Sequence, residues 1–202
     1  YFDCFSGISG DMALGALLDA GADRSVLEAA VEALGLAGEV TLQVRHEQRG
    51  HLGGTRVVVE CGQGPARDLP ALEAAVAGAG LPAPVRERSL KAIALLGAAE
   101  SRIHGLPREQ VHLHELGGAD TLVDLVGAFW LLDSLSADAV YASALPAPRG
   151  LRGDLPLPPP ASLRVLEGTG AQLLPDGRGR ELVTPTGAAF LAACARFEQP
   201  AM

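Results

Sequence analysis

The stretch Asp120-Thr121-Leu122-Val123-Asp124-Leu125-Val126-Gly127-Ala128-Phe129-Trp130-Leu131-Leu132 decides the fold. Its apolar residues Leu122, Val123, Leu125, Val126, Phe129, Leu131 and Leu132 surround most of the girth of a helix. That pattern predicts a helix buried on nearly all sides, at the centre of the molecule. Asp120 reads as its cap. Asp124 lies one turn further and shares a face with Asp120. A carboxylate inside so apolar a helix needs a partner or a function, which makes Asp124 a candidate base or an orienting group for a histidine.

Working outward, the flanking segments alternate between the helical and the extended period. Tyr1 to Phe5 reads as a strand, followed by the turn Ser6-Gly7-Ile8-Ser9-Gly10 and a helix capped by Asp11 that runs to Ala20. Ser25 and Glu28 read as a capping box for a second helix ending near Gly35. Val40 to Val44 and Thr55 to Glu60 alternate with period two and predict an antiparallel pair, joined by a loop holding His46, His51, Gly53 and Gly54. Asp68 before Pro70 starts a helix to about Gly80, and a longer one ends near His104-Gly105. Beyond the central helix, Val140 to Ser143 reads as a strand and 146–160 as a proline-rich loop. A short helix to Glu167, strand segments at Leu173-Leu174 and Leu182-Val183, and a last helix over 187–197 complete the order. The expectation is a mixed α/β fold: one layered domain over residues 1–198, a central sheet flanked by helices, and 199–202 opening a linker.

Four places carry side chains suited to chemistry. In Val111-His112-Leu113-His114-Glu115, an extended backbone would turn His112 and His114 to one face. Two imidazoles and a carboxylate suit zinc, nickel or iron, with His104 the nearest further histidine. A lone histidine would more often bond a backbone carbonyl, but three of the chain's five histidines fall within eleven residues. The second place is the Asp120/Asp124 face. The third is the glycine turn after the first strand, where Ser6, Gly7, Ser9 and Gly10 allow close backbone approach and helix-start N–H groups attract anions. Its ending lacks the Gly-Lys-Ser/Thr of a Walker loop. Asp3 and Asp11 flank it as candidate bases or metal ligands, although Asp11 also serves as a cap, and Cys4 reads as a buried strand residue. The fourth is Thr184-Pro185-Thr186-Gly187, a helix start with two hydroxyls, read either as a plain cap or as a phosphate site.

Composition excludes several classes. Sixteen basic against 24 acidic residues leave a net charge of −8, and no cluster of Lys and Arg offers a face for nucleic acid. Cys4, Cys61 and Cys194 are odd in number and far apart, against a disulfide framework or a zinc knuckle. No apolar run reaches membrane-spanning length, and the expected compartment is the cytoplasm.

Read together, Tyr1 to Met12, Val111 to Glu115 with Asp120 and Asp124, Leu155-Pro156 with Pro160-Ala161, and Glu181 to Ala189 resemble the LarC family, the nickel insertion proteins of nickel-pincer cofactor biosynthesis. The resemblance runs in order along the whole chain. It implies a nickel chelatase of the lyase class, acting on pyridinium-3,5-bisthiocarboxylic acid mononucleotide to form Ni–S bonds and a Ni–C bond. CTP with Mg or Mn is implied as a requirement, and lactate racemase as the consumer of the product. It also implies a C-terminal domain that binds CTP and assists full activity, and it leaves room for a homo-oligomer. On this reading His112, His114 and His104 hold nickel. Asp3, Asp11, Glu115 or Asp124 removes a ring proton, and Ser6, Gly7, Ser9, Gly10, Thr184, Thr186 and Gly187 hold the substrate phosphate. The chain departs from the family pattern at Ala66-Arg67 and Arg152-Gly153, where His-Arg and His-Gly are usual. Two alternatives are a nickel carrier or docking module without chemistry of its own, and a metal-dependent phosphohydrolase using Asp3, Asp11 and the histidines.

Overall fold

A computed structural model describes residues 1–200 except Gln63, Pro65, His112, His114 and Glu115; the side chain of Arg49 is also outside the description. The central helix is where its apolar girth puts it. This helix, Ala119–Ser134, buries Leu122, Val123, Leu125, Val126, Phe129 and Leu131 completely. Burial of each such side chain contributes about 1.5–3 kcal/mol before the cost of ordering it.

The elements in chain order are α1 (Gly10–Asp19), α2 (Arg24–Ala33), β1 (Val40–Arg49), β2 (Leu52–Cys61), α3 (Leu69–Gly78) and α4 (Ala83–His104). A short 3-10 turn, Arg108–Gln110, leads to the central helix, α5. After it come β3 (Leu145–Pro148), β4 (Gly150–Arg152), β5 (Leu155–Leu157), α6 (Pro160–Leu166), β6 (Leu173–Asp176) and α7 (Pro185–Cys194). Helices α1, α2, α4 and α7 surround α5. Phe190 of α7 stacks on Phe129 with ring centroids 5.1 Å apart, and Phe2 meets Phe190 edge-on at 5.4 Å.

The α/β character is as expected, but the layout differs in one respect. Among the described residues the strands form three two-stranded sheets, β1-β2, β3-β6 and β4-β5, and α5 takes the middle in place of a central sheet. Tyr1 to Phe5 and Val140 to Ser143 contribute isolated parallel bridges, Phe2 with Ala142 and Tyr141 with Arg196. The hairpin is longer than its alternating core: pairing runs from Val40 with Cys61 to Arg49 with Leu52, so His46 lies within β1 and the turn is Gly50-His51. The proline-rich stretch 146–160 is likewise not a plain loop, since β4 and β5 pair antiparallel inside it.

Capping follows local geometry more than the simplest pattern. Asp68 accepts the Ala71 N–H at 2.9 Å and Thr184 accepts that of Gly187 at 3.2 Å, as their sequences predict. Asp23, and not Ser25, caps α2 by accepting the Ser25 N–H, while Glu28 pairs with Arg24. Ser9 takes the cap position of α1 and Gly118 that of α5. Asp11 and Asp120 therefore fall in the first turns, where a negative charge meets the positive end of the helix dipole.

Candidate functional site

The glycine turn and the start of α7 are one structure. Ile8 donates its N–H to the Leu182 carbonyl at 2.8 Å, and Thr184 returns a bond to the Ile8 carbonyl at 3.1 Å. This parallel join of Ile8 with Val183 lays the N-termini of α1 and α7 side by side. Gly7, at φ +91, sits where a side chain would overlap the Leu182 backbone, so only glycine serves there. Ser6, Gly7, Ser9 and Gly10 are thereby gathered beside Thr184, Thr186 and Gly187. The Thr184 and Thr186 hydroxyls lie 3.2 Å apart.

Arg178 fastens this unit from outside. Its guanidinium donates to the Phe5 carbonyl at 2.9 Å and to the Ser6 hydroxyl at 3.4 Å. Asp176 holds the guanidinium in turn, and that contact keeps the Asp176 carboxyl down at about 2. Nothing in the local pattern around Arg178 marks it as an anchor of the glycine turn, because Phe5 and Ser6 lie far away along the chain.

Helix α5 passes under the glycine turn. A side chain at Gly10 would overlap the Asp124 carboxylate, so the turn rests directly on that group. Asp124 is half-buried as a residue, but its Oδ1 is sealed from solvent and has no hydrogen-bond partner among the described residues. Burial, reinforced by the charges of Asp11 and Asp120, pushes the Asp124 carboxyl well above the usual carboxylate range. A carboxyl in that state holds a proton more tightly than an ordinary aspartate does.

Cys61, the last residue of β2, was not among the residues singled out from sequence. It is exposed, yet it stands close enough to the start of α5 for the Asp120 backbone N–H to reach its sulfur. Partial desolvation and the charge of Asp120, with those of Glu39 and Asp124, raise its thiol pKa. Nearby, Arg67 forms a two-pronged pair with Glu39 at 2.7 and 3.0 Å, and its N–H bonds the Gly117 carbonyl at 2.9 Å. This latch ties the chain after β2 to the segment leading into α5.

The remaining candidates lie apart. Asp3 is exposed; burial, with the neighbouring Asp3 charge second, raises the Cys4 thiol to about 11. His104, at the end of α4, pairs with Glu100 at 3.2 Å and lines a cleft of about 370 Å³ with Leu113, Leu116 and Pro185. His112, His114 and Glu115 lie outside the described residues. Among the described residues, no group of three or more His, Cys, Asp or Glu is arranged to hold a metal ion.

The comparison with known families decides what this arrangement belongs to. The family described as "Nickel insertion protein" matches residues 1–202, the whole chain. The chain belongs to the nickel insertion protein family. Relatives named for nickel insertion include one from Roseiflexus castenholzii, 46% identical over all of this chain and 52% of its own length. Another, from Syntrophobacter fumaroxidans, is 43% identical over 99% of this chain and 52% of its own. A third, from Desulfitobacterium hafniense, is named "Pyridinium-3,5-bisthiocarboxylic acid mononucleotide nickel insertion protein" and is 41% identical over 97% of this chain and 49% of its own. The chain spans about half the length of these curated relatives. No solved structure matches it. No helix among the described residues is long and apolar enough to cross a membrane.

Proposed function

We propose that these residues form the part of a CTP-dependent nickel chelatase that brings nickel to pyridinium-3,5-bisthiocarboxylic acid mononucleotide. The name of the Desulfitobacterium hafniense relative supports that substrate. One observation supports the assignment of the site: the Oδ1 of Asp124, sealed from solvent and without a hydrogen-bond partner among the described residues, next to Asp11 and Asp120 and directly beneath the glycine turn. An acid so placed suits proton removal more than structure.

In this reading His112 and His114, with Glu115 or His104, hold the incoming nickel ion as a substrate. The two thiocarboxylate sulfurs donate to it. Formation of the Ni–C bond then requires loss of the proton on the ring carbon. The C–H electron pair becomes the bond to nickel, and the proton passes to a carboxylate. Asp124 is the favoured acceptor, since its raised affinity for a proton matches the task. Asp11 stands as the alternate, while Asp3 is too exposed to be favoured. The joined starts of α1 and α7 take the phosphate, with Ser6, Ser9, Thr184 and Thr186 as hydroxyl donors. CTP and Mg or Mn belong to the reaction without any described residue assigned to them.

The test separates nickel binding from chemistry. A His112→Ala/His114→Ala double variant is titrated with nickel, and Asp124→Asn is assayed for cofactor formation. The expected result is loss of nickel affinity in the first and intact nickel binding without cofactor in the second. Parent-like cofactor formation by both would sink the reading.

A further inference from the structure

The strongest unassigned feature is a cleft of about 590 Å³ between the glycine turn with the first turn of α1 and the tip half of the β1-β2 hairpin. Three of its walls are large apolar side chains left in water: Phe5 at 69%, Met12 at 45% and Leu52 at 75% exposure. Single exposed apolar residues are ordinary, but three around one opening of ligand-sized volume are not. Ser9 and Asp11 also line the cleft, and the Ser9 hydroxyl bonds the Asp11 carboxylate. The cleft therefore pairs an apolar wall with a fixed negative charge, directly beside the turn that rests on Asp124.

Phe5 is also held in place. Arg178 donates to its carbonyl at 2.9 Å, so the backbone is pinned while the ring stays free of protein cover. A fixed, uncovered aromatic face is suited to stacking on another flat ring, and more strongly on a cationic one. Glu47 and Arg56 also line the cleft and pair with each other at 3.1 Å, so their charges offset, while Asp11 adds a further negative charge to the lining.

We propose that this cleft binds the pyridinium ring of the mononucleotide, with Phe5 stacked on the ring face, Met12 and Leu52 at its edges and Asp11 balancing its positive charge. The assignment rests on the substrate reading above. It places the ring within reach of Asp11 and next to the phosphate position at the helix starts, as one mononucleotide requires.

The test uses the whole chain, 13C-methyl-labelled at its two methionines, Met12 and Met202, and titrated with pyridinium-3,5-bisthiocarboxylic acid mononucleotide. A ring seated with Met12 at its edge shifts the Met12 methyl resonance downfield. Calorimetry on variants follows. Phe5→Ala is expected to weaken binding about tenfold and Leu52→Ala less, while Phe5→Trp binds like the parent. Binding by the parent with an unshifted Met12 methyl, or with Phe5→Ala unchanged, overturns the ring site and leaves the substrate reading standing. Absence of binding by the parent overturns both.

Discussion

The Asp124 carboxylate lies against the Cα of Gly10, leaving no room for a side chain between the central helix and the glycine turn. Gly10→Ala must therefore push the turn away or displace the acid. Overpacking of this kind costs about 1–3 kcal/mol. Urea denaturation should show that loss, and the Gly10→Ala/Asp124→Ala double variant should recover part of it, because the two positions share one contact. Equal stability of Gly10→Ala and the parent would contradict the packing described.

Asp124 also sets a pH dependence. Its carboxyl pKa is raised in the folded chain, so the folded state binds the proton more tightly than the unfolded one. Its contribution to stability is complete below the ordinary aspartate pKa of about 3.9 and is lost as pH rises through the raised folded value. Asp124→Asn removes that loss. Its melting temperature should exceed the parent's at pH 8, with the gap narrowing toward pH 4. A constant offset across that range would refute the raised pKa.

The Arg178 anchor predicts a local effect. Arg178→Ala frees the Phe5 carbonyl and the Ser6 hydroxyl, so amide hydrogen exchange over residues 5–9 should speed up while the interior of α5 keeps its protection. Arg178→Lys should restore little, since one ammonium cannot reproduce the fork that engages Asp176 and the turn together. Unaltered exchange in Arg178→Ala is the outcome that speaks against the anchor.

Thr184 offers a cap test at the same site. Replacement by alanine strands the Gly187 N–H and should cost about 1 kcal/mol, whereas serine should cost little. Thermal unfolding of the two variants side by side decides it.

Thiol labelling checks the surroundings of Cys61. Cys4 and Cys194 are pushed up to about 11 and about 12 by burial, so iodoacetamide should leave both untouched in the native chain. Cys61 should label alone, and slowly for an exposed cysteine. Asp120→Asn should speed that labelling, because it removes a negative charge that opposes the thiolate. Mass spectrometry after a timed reaction gives all three rates.

What could be read from the sequence divides by range. The apolar girth of α5, the Asp68 and Thr184 caps and the glycine stop at Gly105 are local, and each is visible within one or two turns of helix. Ser25-x-x-Glu28 satisfies the capping-box spacing, yet Asp23, two residues earlier, supplies the capping oxygen of α2. The sheets were misjudged because β3 pairs with β6 across more than twenty intervening residues, a choice no local period encodes. Within the site, Asp124 was legible as an acid in an apolar helix. Cys61 and Arg178 were not, since their roles come from the hairpin end meeting α5 and from the segment after β6 bringing a guanidinium to the distant glycine turn.

The parallel join of Ile8 with Val183 has a consequence for how the molecule is made. The glycine turn leaves the ribosome long before its partner exists, and contacts of such sequence separation close late because loop entropy opposes them. The helices around α5 can collapse first, leaving the turn without its second half. Final docking of the 182–187 segment is then the step that completes the proposed phosphate site. A nascent or proteolytically shortened chain lacking that segment would be compact yet unable to grip its ligand. Conversely, a bound ligand would act as a clasp between the first and last elements, slowing unfolding from the C-terminal end.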